Sequence, residues 1–164
     1  MTTSLKYIQH YSQALQDQIC RLQTEGKLGD YITARYPQPH TIQNSKALYH
    51  YCNYIKQAYM RNVSALAKVE YDSRLTMQHH ALGLNTAISR VHGGKLTAKK
   101  EIRISDTFKS MPEPFLRMIV VHELAHLKER DHNKAFYKLC EHMEPDYHQL
   151  EFDCRVYLTW MESS

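Results

Sequence analysis

Two histidines four positions apart, His122 and His126, are the residues whose types and spacing most clearly indicate chemistry, and Glu123 directly follows the first of them. In a helix, positions i and i+4 lie on one face a turn apart, so both imidazoles can point at one atom. A glutamate beside that face can take a proton from water activated by a metal. The pattern H-E-x-x-H therefore predicts a hydrolytic zinc site, with both histidines as ligands and Glu123 as the general base.

A catalytic zinc needs a third protein ligand and an open position for water. His132 follows His126 by six residues, the interval found in H-E-x-x-H-x-x-G-x-x-H, although Glu129 stands where that pattern has glycine. The alternative third ligand is a carboxylate farther along, as in sites built from two histidines and a glutamate, and Glu151 is then the candidate. The spacing favours His132.

The segment that carries the pattern is apolar on nearly every side, which predicts a core helix. Its apolar residues are Phe115, Leu116, Met118, Ile119, Val120, Val121, Leu124, Ala125 and Leu127. Two histidines and a glutamate would be costly to bury there without a partner, and a bound cation would supply one. The alternative is a pair of histidines satisfied by hydrogen bonds in an ordinary core.

The sequence of residues 120–137, V-V-H-E-L-A-H-L-K-E-R-D-H-N-K-A-F-Y, is followed over residues 140–147 by C-E-H-M-E-P-D-Y. These two stretches closely resemble the YgjP-like zinc metallopeptidases. The first also looks like the WLM group of DNA–protein-crosslink proteases and, less closely, SprT. The resemblance extends over about Leu82 to Trp160.

This resemblance implies a compact zincin fold with one zinc ion held by three histidines. Carried over position by position, the ligands are His122, His126 and His132, and the catalytic base is Glu123. The implied reaction is hydrolysis of a peptide bond in a protein or peptide substrate.

The bulk composition is that of an ordinary globular protein, with 164 residues, of which 43% are hydrophobic and 23% charged. The N-terminus lacks the apolar segment of a signal peptide, and no apolar run is long enough to span a membrane. The cysteines are scattered without a C-x-x-C pair, which predicts reduced, mostly buried thiols in a cytoplasmic protein. They are Cys20, Cys52, Cys140 and Cys154.

A mild net charge of +4 permits a polyanionic partner without requiring one. A basic cluster falls on a predicted hairpin and consists of Arg90, Lys95, Lys99, Lys100 and Arg103. A solvated sheet face accounts for it, and weak association with nucleic acid is the alternative.

Apolar spacing predicts two amphipathic helices near the N-terminus, over Ser4–Glu25 and about Ser45–Arg61. Gly26 stands where a C-terminal cap belongs. The first 60 or so residues therefore form a helical layer added to the catalytic core, and no Gly/Ser-rich linker separates the two.

From Leu66 onward the apolar residues alternate as they do in strands. The expected strands are Ala67–Tyr71, Leu82–Val91 and Leu96–Ser105, and His92-Gly93-Gly94-Lys95 is typical of a hairpin turn. In the last strand Lys100 is the exception, because it falls on the apolar side. The prediction is a small antiparallel sheet.

Ser110 and Glu113 form a capping-box pattern that predicts the start of the histidine-bearing helix. Further helices are expected over Asn133–Met143 and from Asp146 to about Trp160. The order of elements predicts an α+β fold, a zincin-like metalloprotease core with extra N-terminal helices. We expect one domain over 1–164, with the helical layer over about 1–62 and the catalytic core over about 63–164.

Peptide hydrolysis also needs a group that stabilises the negatively charged oxygen of the transition state, and Tyr147 and His148 are the candidates. Carboxylates that could orient the metal-binding histidines are Glu144, Asp146, Glu151 and Asp153. An extended substrate would pair with an edge strand of the sheet, either around Leu84–Ala87 or the strand that returns from the hairpin.

Two alternatives to a simple peptidase stay open. The first is a protein- or nucleic-acid-binding module that a metal stabilises without turnover. Glu123 argues against it, because a structural zinc site needs no general base. The second is a protease associated with nucleic acid, which the basic cluster and the resemblance to the WLM group favour.

Overall fold

The computed structural model describes residues 5–75, 91–92, 95–96 and 100–163. The chain forms two compact units. The terminal unit consists of Met1–Gln38 and His148–Ser164, and the central unit consists of Pro39–Tyr147. The single domain expected over 1–164 stays a prediction. Within the described part of the chain, no helix combines the length and apolarity that a membrane crossing needs.

The terminal unit is helical. Helix α1 (Gln13–Thr24) begins later than the predicted Ser4, because the Ser12 side chain accepts a hydrogen bond from the Leu15 amide at 3.3 Å and so caps the helix there. Gly26, at φ 71°, ends it in the left-handed conformation that glycine allows. Helix α2 covers Leu28–Arg35. A buried apolar cluster holds the unit together: Ile8, Ile19, Leu28, Ile32 and Val156.

The central unit begins with helix α3 (Ser45–Tyr59), which matches the predicted helix. The Asn44 side chain caps it by accepting a hydrogen bond from the Ala47 amide at 2.8 Å. Its buried apolar side chains, Leu48, Cys52 and Ile55, face the strand and helices that follow.

Strands β1 (Leu66–Asp72) and β4 (Lys100–Ser105) pair in parallel, with Val69 opposite Ile102. The prediction that the small sheet is antiparallel was therefore wrong for this pair. Strand direction depends on the connection: a two-residue turn forces antiparallel pairing, whereas the long segment between β1 and β4 permits a crossover. Local alternation of apolar residues carries no information about that choice.

Strands β2 (Val91–His92) and β3 (Lys95–Leu96) form a separate antiparallel pair, as expected for the predicted hairpin. The predicted turn glycines and the strand predicted over Leu82–Val91, apart from its last residue, lie outside the described residues. So does the strand around Leu84–Ala87 that was expected to receive substrate.

A 3₁₀ helix (Asp106–Ser110) joins β4 to helix α4 (Glu113–Ala125), which packs on β4. The predicted capping box does not form, because Pro112 is the N-cap and the Ser110 hydroxyl donates to the Thr107 carbonyl instead. Helices α5 (Lys134–Met143) and α6 (Tyr147–Ser163) follow. All four cysteines are free thiols, and three of them are buried.

Candidate metal centre

Helix α4 is buried over most of its length although it carries polar residues. Phe115, Leu116, Ile119, Val120, Val121, Leu124 and Ala125 have no exposed surface. Within this segment His122 is 2% exposed, Glu123 3% and His126 4%. Burial of three polar side chains at this depth requires specific partners.

The imidazoles of three histidines converge at the C-terminal end of α4. The Nε2 atom of His126 lies 3.2 Å from Nε2 of His122 and 2.9 Å from Nε2 of His132. Two nitrogen ligands of one tetrahedral zinc ion are about 3.4 Å apart, since each Zn–N bond is about 2.0–2.1 Å. The spacing and the chemistry of the donor set therefore fit a divalent metal ion.

The ligand atoms of these three histidines all lie within 4.8 Å of one another. Among the described residues, they are the group that could share one metal ion. The alternative third ligand, Glu151, is not in that group; it belongs to the terminal unit and pairs with Arg155 at 3.8 Å. The structure thus brings His132 to the other two histidines.

The turn after α4 places His132 beside the other histidines without the glycine of the pattern H-E-x-x-H-x-x-G-x-x-H. Nδ1 of His126 lies 2.9 Å from the backbone carbonyl oxygen of Glu129, which stands at the glycine position. No described residue other than glycine has a positive φ, so this turn uses ordinary backbone conformations. A carbonyl on the second ring nitrogen of a metal-binding histidine fixes its tautomer and orientation.

Phe136 forms the apolar wall of the cluster. Its ring centroid lies 5.0 Å from that of His122, 4.5 Å from that of His126 and 4.9 Å from that of His132, and its side chain is fully buried. The pattern of candidate ligands did not identify Phe136 as part of the site. Its position four residues after His132, on the first turns of α5, was the signal that placed it beside the ligands.

Tyr147 is fully buried, and its hydroxyl lies 2.8 Å from Nδ1 of His122. Its ring lies roughly parallel to the imidazole, with the planes 21° apart and the centroids 6.4 Å apart. This position suits orientation of His122. The oxyanion-stabilising role predicted for Tyr147 and His148 stays a prediction; His148 is an exposed residue of the terminal unit.

Three of the four carboxylates that could orient the histidines have other described partners: Glu144, Glu151 and Asp153. Glu144 accepts hydrogen bonds from Nε of Arg117 at 2.9 Å and from the backbone amide of Asp146 at 3.0 Å. Asp153 lies in the terminal unit. In the structure, Nδ1 of His122 contacts a phenol and Nδ1 of His126 contacts a backbone carbonyl, and the sequence pattern around the histidines reveals neither contact.

Glu123 lies beside the buried face of α3. Burial, and to a lesser degree the negative charge of Glu123, raise the pKa of the Cys52 thiol. Cys52 therefore stays a neutral thiol, in buried surroundings where the charge of a carboxylate acts over a longer range than in water.

A relative from Escherichia coli (strain K12) is 54% identical to this chain over 157 residues, which are 96% of this chain and 94% of the relative. That protein is named UTP pyrophosphatase. No solved structure matches the chain.

The model of one protein family matches residues 6–153, which include α4, the turn to His132 and Tyr147. That family is described as YgjP-like, metallopeptidase domain. The resemblance inferred from the residues around the two histidines is therefore confirmed. The chain belongs to the YgjP-like family.

Proposed function

We propose that this protein is a zinc-dependent hydrolase, with a zincin-like core, that cleaves UTP to UMP and pyrophosphate. The observation that carries the proposal is the convergence of three Nε2 atoms next to a buried glutamate on α4. The choice of UTP as the substrate rests on the name of the relative, UTP pyrophosphatase, which is 54% identical over nearly the whole of both chains.

His122, His126 and His132 are the residues that would hold the zinc ion. Zinc bound by three histidines supplies Lewis-acid chemistry: it lowers the pKa of a water molecule in contact with it to about 7 and stabilises negative charge on oxygen. Tyr147 and the Glu129 carbonyl hold two of the three rings in the orientation that turns Nε2 toward the common point.

Glu123 acts as the general base. Its carboxylate accepts a proton from the attacking water as the water oxygen forms a bond to the α-phosphorus of UTP. The bond from that phosphorus to the bridging oxygen breaks, and pyrophosphate leaves with the electron pair. The apolar walls of α4 and Phe136 lower the local dielectric, which strengthens each of these electrostatic interactions.

Hydrolysis of peptide bonds is the second candidate function. The pattern H-E-x-x-H and the description of the family as a metallopeptidase domain favour it. The same three histidines and Glu123 would serve, and the leaving group would be an amine instead of pyrophosphate. The two candidates therefore differ in the substrate and not in the metal site.

Product analysis tests the proposal. The zinc-loaded protein is incubated with UTP, and UMP and pyrophosphate are measured by anion-exchange chromatography; a peptide library is followed in parallel by mass spectrometry. We expect UMP and pyrophosphate in equal amounts, loss of both after chelation or in His126→Ala, and no loss in the control His50→Ala, an exposed histidine of α3. Peptide cleavage without UTP hydrolysis would establish the second candidate instead.

A further inference from the structure

A lysine lies at the end of α4 where the histidines converge. Lys100 is the first residue of β4, and its Nζ donates to the backbone carbonyl oxygen of Leu127 at 3.4 Å. Leu127 directly follows His126, and the His126 ring lies against the carbonyl of Glu129. The ammonium group and the imidazole therefore contact carbonyl groups only two residues apart, on the same turn.

The order of elements explains this position. β4 leads through the 3₁₀ helix into α4, and α4 packs back on β4, so the start of the strand lies at the C-terminal end of the helix. Side chains two residues apart share a face of a strand. Lys100 therefore shares the inward face with Ile102, 1% exposed, and Ile104, fully buried.

Lys100 differs from the paired cations of the central unit. Arg103 contacts Glu70 at 3.5 Å, and Arg117 contacts Glu144 at 2.9 Å. Among the residues that the structure describes, no carboxylate lies within ion-pair distance of the Lys100 ammonium, whose hydrogen-bond acceptor is the neutral Leu127 carbonyl. An ammonium has three N–H donors, so two can bind an anion.

We propose that Lys100 binds the triphosphate of the substrate and thereby favours nucleoside triphosphates over uncharged peptides. This inference rests on the proposed hydrolysis of UTP. A lysine is a compact positive charge suited to phosphate oxygens. The Lys100 ammonium contacts the turn that directly follows His126. The competing explanation is that Lys100 only caps α4, because a cation near a helix C-terminus stabilises the last carbonyl groups.

Substitution of Lys100 separates these roles. In Lys100→Gln we expect the KM for UTP to rise about 10- to 100-fold, the range for loss of a hydrogen bond to a charged group, with zinc content unchanged. Lys100→Arg should restore most of the affinity. The control Lys109→Gln removes the same charge from a lysine that stacks on the Tyr71 ring, and we expect less than about a twofold change.

A binding measurement keeps the assignment independent of turnover. Inorganic tripolyphosphate is titrated calorimetrically into the zinc-loaded variant Glu123→Gln and into the zinc-loaded double variant Glu123→Gln with Lys100→Gln. The double variant should bind tripolyphosphate about 10- to 100-fold more weakly, like the expected rise in the KM for UTP. An unchanged KM with a lower melting temperature would show that Lys100 is only a helix cap and overturn the proposal. If the wild-type protein does not hydrolyse UTP, the proposed function is overturned. The role of Lys100 is then decided by the affinity for tripolyphosphate. An affinity that Lys100→Gln leaves unchanged overturns the proposal for Lys100.

Discussion

The terminal and central units both bury polar side chains, but they surround them with different kinds of groups. In the terminal unit the Asp153 carboxylate is 1% exposed. It accepts hydrogen bonds from Arg35 at 3.2 Å, from Gln149 at 3.1 Å and from the hydroxyl of Tyr36. A carboxylate enclosed by a cation and neutral donors is complete within the protein, so the cluster stabilises the fold.

In the central unit the cluster at the end of α4 consists of ligands of one kind. Three imidazoles direct the same atom, Nε2, toward one another at 3.2 Å and 2.9 Å. A cation is the one partner that can accept all three lone pairs at once. The comparison shows that the composition of a buried polar cluster indicates its role: mixed donors and acceptors indicate structure, and convergent ligands of one kind indicate a metal site.

The largest expected effect comes from the general base. Glu123→Gln keeps the size of the side chain but cannot accept a proton, so kcat for UTP should fall about 10²- to 10⁴-fold. Zinc content, measured by elemental analysis, should stay at one ion per chain, because no ligand has changed. Equal rates for wild type and variant would show that Glu123 is not the base.

Tyr147→Phe tests whether the central cluster depends on its hydrogen-bonded surroundings. The variant keeps the ring beside His122 and removes the hydroxyl that lies 2.8 Å from Nδ1. Loss of such a partner typically weakens metal binding about 10- to 100-fold, which competition with a chelator of known affinity measures. The control Tyr54→Phe removes a hydroxyl from a tyrosine that is 78% exposed and should leave zinc affinity unchanged. Unchanged affinity in Tyr147→Phe would show that the hydroxyl does not support the ligand.

The parts of this molecule that the sequence predicts are those governed by local rules. The meeting of His122 and His126 follows from helix periodicity, and Asn133 caps α5 as its residue type indicates, accepting from the Phe136 amide at 2.9 Å. The hydrogen bond between Tyr147 and His122 spans 25 residues and depends on how helices pack, so no local pattern contains it.

The error in strand direction arises where local rules do not apply. The parallel pairing of β1 with β4 depends on a connection of more than twenty residues, whereas the alternation within each strand is identical for both directions. Asp153 was one of four carboxylates that the sequence offered as partners of the metal-binding histidines. Two of its described partners, Arg35 and Tyr36, come from more than a hundred residues away.

Asp153→Asn tests the terminal side of the comparison. The variant replaces a buried charge with an amide and weakens the hydrogen bonds from Arg35 and Tyr36. We expect the free energy of unfolding to fall by about 2 kcal/mol, the range for hydrogen bonds to a charged group, as measured by urea denaturation. Zinc affinity should not change. The exposed Asp17→Asn is the matched control, and an equal loss in both variants would contradict a special role for the buried cluster.

The smallest expected effect concerns Asp72, which forms an ion pair with Arg74 inside the central unit. Its carboxylate accepts hydrogen bonds from the side chain of Arg74, at 2.9 Å to each oxygen, and from the Arg74 backbone amide. The side-chain hydrogen bonds are the main reason that the pKa of Asp72 falls to about 2. Because Arg74 is 73% exposed, solvent screens the pair, and we expect it to contribute less to the unfolding free energy at pH 7 than the Asp153 cluster does.

The sign of the pH dependence follows from the lowered pKa of Asp72. The contribution is fully present above the unfolded pKa of about 3.9 and is lost as the pH falls toward the folded value of about 2. The difference in unfolding free energy between wild type and Asp72→Asn should therefore be constant from pH 7 to pH 5 and fall by about half or more at pH 3. Urea denaturation of the metal-free proteins at each pH measures this difference without interference from the release of zinc at low pH. A difference that stays constant down to pH 3 would show that the Asp72 charge does not stabilise the central unit.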